Sequence, residues 1–327
     1  MAWHGPIGVG ESLLNSDMQE KKNKRLLILL FVLLSATVAA YWFGQGEDNY
    51  EVNKNIFKDY DLKSINEIVL ESDTGKVVLK YSGSRWKVND KFGADPDMIE
   101  VLFATLQQAE PKRPLASSLQ DSVAKTLEQK GVKVSLIAAG AIQKTLYAGG
   151  NTSKNQAFFM DGDRRKPYIM TIPGYRVYVS GIFELAENGW RDKYVFGFNW
   201  RNFQHLEMSF SKKPSDDFVV AMDDSYFSVQ GLTQVDTTKL NDFLNNVSLL
   251  TVDDYIAPNP SFDSLAKVGP LVTILVKDIA RKEYLLQLYP PGSKSKQYPG
   301  LINGTQWALF QENKITGIVR PRNFFTK

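Results

Sequence analysis

The chain has 327 residues, 43% of them hydrophobic and 23% charged, with 39 Lys plus Arg against 36 Asp plus Glu and a net charge of +3. That length leaves room for about two domains, and the composition excludes wholesale disorder. The even charge balance argues against a nucleic-acid partner, which would call for a clustered basic excess. There is no cysteine, which removes disulfides, thiolate metal sites and cysteine nucleophiles together. Two histidines, His4 and His205, cannot build a multi-histidine metal centre. The sequence therefore supplies no catalytic residue, no metal site, no cofactor and no identified small-molecule substrate.

Leu26 to Phe43 is an uncharged run of 18 residues, LLILLFVLLSATVAAYWF. As a helix it covers about 27 Å at about 1.5 Å per residue, close to the hydrocarbon core of a bilayer at about 30 Å. Lys21, Lys22, Lys24 and Arg25 stand directly before it, and Glu47, Asp48 and Glu51 follow it. Positive charge resists translocation, so residues 1–25 are expected to stay cytoplasmic, with Tyr41 and Trp42 at the far interface. A cleaved signal peptide competes with this reading, because Val38-Ala39-Ala40 offers small residues for cleavage. The apolar run continuing through Phe43 and the long tail before it favour an uncleaved anchor in lipid over residues 26–43.

Residues 44–61 are polar and read as a spacer. Ile65 to Glu71 and Lys76 to Tyr81 form a hairpin around Asp73-Thr74-Gly75, and Arg85 to Val88 is a third short strand. Asp95 caps a helix that opens on Pro96, with Met98, Val101, Leu102, Thr105 and Leu106 as its apolar stripe. A second helix runs from Leu119 to Lys130 and closes at Gly131. Strands follow at Val132–Ala138, Gln143–Tyr147, Ala157–Asp161 and Pro167–Ile172, then a short helix over Val177–Glu187.

The same order recurs. Phe203–Phe210, Asp217–Met222 and Ser225–Val229 are short strands, and Asp236 caps a helix carrying Leu240, Phe243, Leu244 and Val247. A helical stretch over Phe262–Lys267 precedes the hairpin Val272–Val276 with Tyr284–Tyr289. Gln306–Gln311 and Ile315–Val319 complete the set. Trp86 corresponds to Phe227, both expected to be buried, and Asp95 to Asp236. The string Tyr147-x-x-Gly150-x-x-x-Lys154 is repeated as Tyr289-x-x-Gly292-x-x-x-Lys296. The expected class is α+β: one transmembrane helix, then two tandem repeats of antiparallel sheet plus helix. They occupy 62–187 and 198–320, with a connector at 188–197 and a tail at 321–327.

Candidate sites compete with plainer roles. His205 and Glu207 sit two apart on one strand and could form an acid–base pair, but a solvated or cross-strand polar face is the plainer reading and the one preferred. Asp161-Gly162-Asp163 hints at calcium, yet Arg164-Arg165-Lys166 follows and would repel a cation. That basic tip is a candidate partner-binding feature; the plainer reading is a solvated turn. The pairs Asp216-Asp217, Asp223-Asp224 and Asp253-Asp254 suit turns and helix ends.

Ile65 to Leu70, Trp86, Ala94-Asp95-Pro96, Leu102, Leu106, Gly131, Tyr168 and Arg191-Asp192-Lys193 together resemble one bacterial family. It comprises membrane-anchored envelope proteins carrying the domain of unknown function 4340, with the likeness running from about residue 60 to residue 250. Leu146-Tyr147-Ala148-Gly149 departs from the family's usual step. The resemblance implies an inner-membrane protein with its body in the periplasm, beside other envelope proteins, sometimes transporter-like components linked to gliding. It brings no catalytic residues. The expectation is a non-catalytic accessory or structural subunit; the alternative is a periplasmic hydrolase or glycan-processing enzyme using unrecognised carboxylates.

Overall fold

The computed structural model describes residues 10–44, 52–199, 201–223, 226–257, 260–292 and 295–327. The chain divides into two units, Met1–Asn53 and Lys54–Lys327. In the first, α1 (Gly10–Gly44) is one helix of 35 residues. Its stretch Lys22–Ala40 is long and apolar enough to cross a membrane, with a mean hydropathy of 1.7. The side chains of Lys21, Tyr41 and Trp42 lie outside the described residues.

The second unit opens with β1 (Glu67–Ser72), β2 (Gly75–Ser82), β3 (Arg85–Val88) and β4 (Phe92–Gly93), then α2 (Pro96–Gln108). Next come β5 (Glu110–Pro114), α3 (Ser117–Lys130), β6 (Val132–Ala138), β7 (Ala141–Gly150), β8 (Ala157–Asp161), β9 (Pro167–Thr171) and the short α4 (Glu187–Trp190). The second half carries β10 (Phe203–Phe210), β11 (Phe218–Asp223), β12 (Tyr226–Val229), α5 (Thr237–Ser248), β13 (Asp254–Tyr255) and α6 (Pro260–Val268). It ends with β14 (Val272–Asp278), β15 (Glu283–Leu288), β16 (Gln297–Ile302), β17 (Gln306–Gln311) and α7 (Glu312–Ile318).

Two antiparallel sheets result. The first runs β4-β3-β2-β1-β6-β7-β8-β9-β5 and the second β12-β11-β10-β14-β15-β16-β17-β13. Leaving out β4, the two orders are the same path through space, so the fold is α+β with two copies of one topology. The ladders align the copies residue by residue. Leu79 faces Val88 as Val220 faces Val229, which puts Trp86 and Phe227 at the same register position. Both are half-buried rather than buried as expected, because these strands lie at or next to a sheet edge. Trp86 packs on Phe103 at 5.4 Å and Phe227 on Phe203 at 5.3 Å.

The helix caps repeat too. Asp95 Oδ1 accepts from the amides of Asp97 and Met98, and Asp236 Oδ1 from those of Thr238 and Lys239. Each copy then closes on itself: the Asp95 amide donates to Trp190 O and the Asp236 amide to Phe325 O, both at 2.8 Å. Trp190 and Phe325 are both 0% exposed. The expected connector and tail thus contain the last core residue of each copy.

Alternation explains the layering. In β8, Phe158 and Met160 join Ala124 and Leu127 of α3 in one cluster. Phe159 points the other way, edge-on to Phe57 at 5.7 Å and Phe183 at 5.5 Å. Both faces of β8 are covered, hence its unbroken apolar run.

Several expectations are corrected. Residues 54–60 do not act as a free spacer: Phe57 is buried, and Lys144 reaches Ile56 O and Asp59. The expected helix over Val177–Glu187 is a 3-10 turn at Val179–Ile182 followed by α4, since Gly181 weakens a continuous helix and Ala186 between the two is extended. Ile315–Val319 is not a strand; α7 occupies it, and β17 pairs instead with β16 and β13. The string beginning at Tyr147 and Tyr289 is not a register match. Lys133 faces Tyr147 where Thr273 faces Gln287, so the true equivalent of Tyr147 is Gln287.

Candidate functional site

Between the two copies runs a strap, Arg191 to Val195. Its first half belongs to the first copy: Arg191 bridges Ala94, and the Asp192 amide donates to Gly93 O at 2.9 Å. Its second half belongs to the second copy: Tyr194 bridges Thr251, and the Val195 amide donates to Leu250 O at 3.0 Å. Val195, Phe196 and Phe198 continue into the second core.

The Arg191 side chain stands where the copies meet and is 5% exposed. Its guanidinium carbon lies 3.6 Å from the ring centre of Phe92 and 3.5 Å from that of Tyr255, one ring from each copy. A cation between two aromatic faces gains from both ring quadrupoles. Nη1 donates to Asn188 Oδ1 and Nη2 to Gln306 Oε1, each at 3.2 Å. Nε is covered and has no hydrogen-bond partner among the described residues. Among the described residues no carboxylate lies within salt-bridge distance of the group. Burial pulls its pKa down, against the nearby Tyr255 and Glu187.

Around this residue opens a cleft of about 760 Å³. Arg85 at the start of β3, Lys91 before β4 and Lys282 before β15 line it with Arg191. The Lys91 ammonium stands 4.9 Å from the Phe92 ring and that of Lys282 4.4 Å from the Tyr284 ring. Asp192 is the one carboxylate among the described lining residues. Burial pushes its carboxyl up and Asp95 adds to that, while the Tyr194 amide, Arg85 and Lys282 pull it back. The walls are thus rich in fixed positive charge, aromatic faces and amides, a combination suited to holding an anion.

The residues singled out by sequence lie elsewhere, Arg191 and Asp192 excepted. His205 Nε2 stands 3.9 Å from Glu207 Oε2, beyond hydrogen-bond reach, on a strand flanked by Ala221 and Lys277. In the basic tip, Arg165 makes a two-pronged contact with Glu128 of α3 at 2.7 and 2.9 Å. Lys166 stands 5.7 Å from the Tyr168 ring, and Arg164 is exposed. Asp161 Oδ1 takes the Asp163 amide in a tight turn, while Oδ2 pairs with Lys144. Asp217 takes the Phe210 amide, and Asp253 takes the Gln311 amide and the Lys314 ammonium. The side chains of Asp223 and Asp224 lie outside the described residues. Lys91, Phe92, Tyr255, Lys282 and Gln306 carried no sequence signal, because turns and two-residue strands from both copies bring them together.

No curated protein and no solved structure matches the chain. The family model described as "Domain of unknown function (DUF4340)" matches residues 86–268, from β3 of the first copy to α6 of the second. Since that match takes in more than half of the chain, the protein belongs to the DUF4340 family.

Proposed function

We propose that this protein is a non-catalytic, membrane-anchored binding protein of the bacterial envelope. In this reading α1 spans the inner membrane, residues 1–25 stay cytoplasmic, and the tandem body stands in the periplasm as an accessory or structural subunit of an envelope complex. Transporter-like or gliding-related assemblies are the kind of complex the resemblance implies, with other envelope proteins as partners. One observation carries the anchor: the apolar side chains of Leu26 to Leu34 are all exposed along α1, Phe31 at 73%. Each Leu, Ile, Phe or Val of such a run gains about 0.3–0.6 kcal/mol at the centre of a bilayer helix. The helix continues unbroken through Val38-Ala39-Ala40 to Gly44, which supports retention over cleavage. The four bases before Leu26 and the acids after Phe43 support the orientation.

Fractionation of cells tests the anchor. The full chain should stay with membranes through an alkaline carbonate wash and leave only with detergent. A chain recovered in the soluble fraction, or shortened at Ala40, would contradict it.

A further inference from the structure

We propose that the cleft between the two copies binds a compact anion, a small molecule presenting carboxylate or phosphate groups to Arg191, Arg85 and Lys282. The proposal names a ligand for the body and so rests on reading that body as a binding module. Four cations line the cleft against one carboxylate among the described residues, and they come from three separate segments of the fold. Neither Arg85 nor Lys282 comes within salt-bridge distance of a carboxylate among the described residues; Asp192 faces both from farther off, and one carboxylate leaves the cleft with a net positive charge.

The second observation is Arg191 itself. A buried charge is normally paired, because burial without a partner is costly. Here the charge is buried, both terminal nitrogens reach neutral amides, and Nε has no acceptor among the described residues. A covered donor left unpaired loses its hydration with nothing in return and calls for an explanation. A guanidinium offers Nε and Nη2 side by side, a fork that matches two oxygens of one acid group. An acid group entering beside Gln306, with a small adjustment of that amide, supplies both the missing acceptor and the missing countercharge. The Phe92 and Tyr255 rings hold the plane of the fork fixed, which lowers the ordering cost of binding. A cleft of about 760 Å³ admits a small molecule with several acid groups.

Calorimetric titration of the full chain in a non-ionic detergent tests this, with inorganic pyrophosphate in one arm and citrate in the other. Ionic strength is matched with chloride and divalent metals are left out. The expected result is a Kd below about 1 mM for at least one probe; the arm that binds tells phosphate from carboxylate. The double variant Arg85→Ala/Lys282→Ala should weaken that binding at least about tenfold with no change in melting temperature in the absence of probe. Lys125→Ala/Lys130→Ala on α3, away from the cleft, should leave it unchanged. Arg191→Gln should abolish binding; because this change also touches the junction, the rim variant and not this one decides the matter. Failure of both probes to bind, or binding that ignores the rim variant, overturns the proposal. A protein that binds neither probe yet fractionates with membranes would leave the anchored reading standing, so the two failures are distinguishable.

Discussion

The two copies share a strand order but treat one position in opposite ways. Leu136 faces Lys144 as Val276 faces Tyr284, and Leu146 faces Asp161 as Leu286 faces Ile302. The first copy therefore places a buried ion pair, Lys144 with Asp161, where the second places a tyrosine and an isoleucine. The same topology forms both ways, so the fold does not demand the charges. What differs is the segment leading into each copy. Before the first, Asp59 and Ile56 O come down onto the Lys144 ammonium. Before the second, Gly197 O takes the Tyr284 hydroxyl at 3.3 Å. Burial works against the charge of Lys144, but Asp161 and Asp59 outweigh it and hold its pKa above the usual value. Burial also works against Asp161, and Lys144 with the Asp163 amide brings its carboxyl below the usual range. Tyr284 and Ile302 instead line the cleft, so the second copy's apolar version stands where the junction opens.

The comparison can be broken first at the closures. Trp190→Ala and Phe325→Ala each remove the last core side chain of a copy and should each cost about 3–5 kcal/mol in denaturant unfolding. Trp190→Ala should be the larger of the two, since it also leaves Leu185 O without the indole N–H. A neutral result at either position would mean that the copies do not close alike. The ion pair comes next. Lys144→Met should cost about 3 kcal/mol, at the low end for a charge stranded in a core, because Asp59 keeps one side of the site near water. Adding Asp161→Leu should recover most of that loss, as the second copy's apolar pair implies. The pH dependence follows from the same shifts. The lowered Asp161 contributes stability above the ordinary carboxylate range, lost as pH falls below about 4. The raised Lys144 contributes stability below its ordinary range, lost as pH rises beyond about 10. Both losses should be smaller in the double variant; unchanged profiles would remove the pair from the account.

Local chemistry made much of this fold readable. Asp95-Pro96 and Asp236 announced the helix starts, and Leu240, Phe243, Leu244 and Val247 are the buried face of α5 as their spacing required. Val101 misled, being exposed, because α2 buries Ile99 in its place. Of the four strands that escaped notice, two carry proline: β5 reads EPKRP at a sheet edge, and β16 holds Pro299-Gly300 inside a sheet; the other two, β4 and β13, are two residues long and show no period. Gly300 is needed there, since a Cβ would come 2.6 Å from the Phe310 ring. The cleft was not readable at all. Arg85 and Gln306 lie at opposite ends of the body's sequence, and only topology makes them neighbours. Arg191-Asp192-Lys193 stood out through family resemblance alone, with no pattern to say that its arginine would be clamped between the copies.

The central claim, a body held across a membrane from its amino-terminal tail, has one direct measurement. The chain lacks cysteine, so single substitutions give unambiguous labels. In spheroplasts treated with a membrane-impermeant maleimide, Thr152→Cys in the exposed β7–β8 loop should label in intact cells, while Ser16→Cys should label only after lysis. Labelling of Ser16→Cys in intact spheroplasts, with Thr152→Cys protected, would contradict the account.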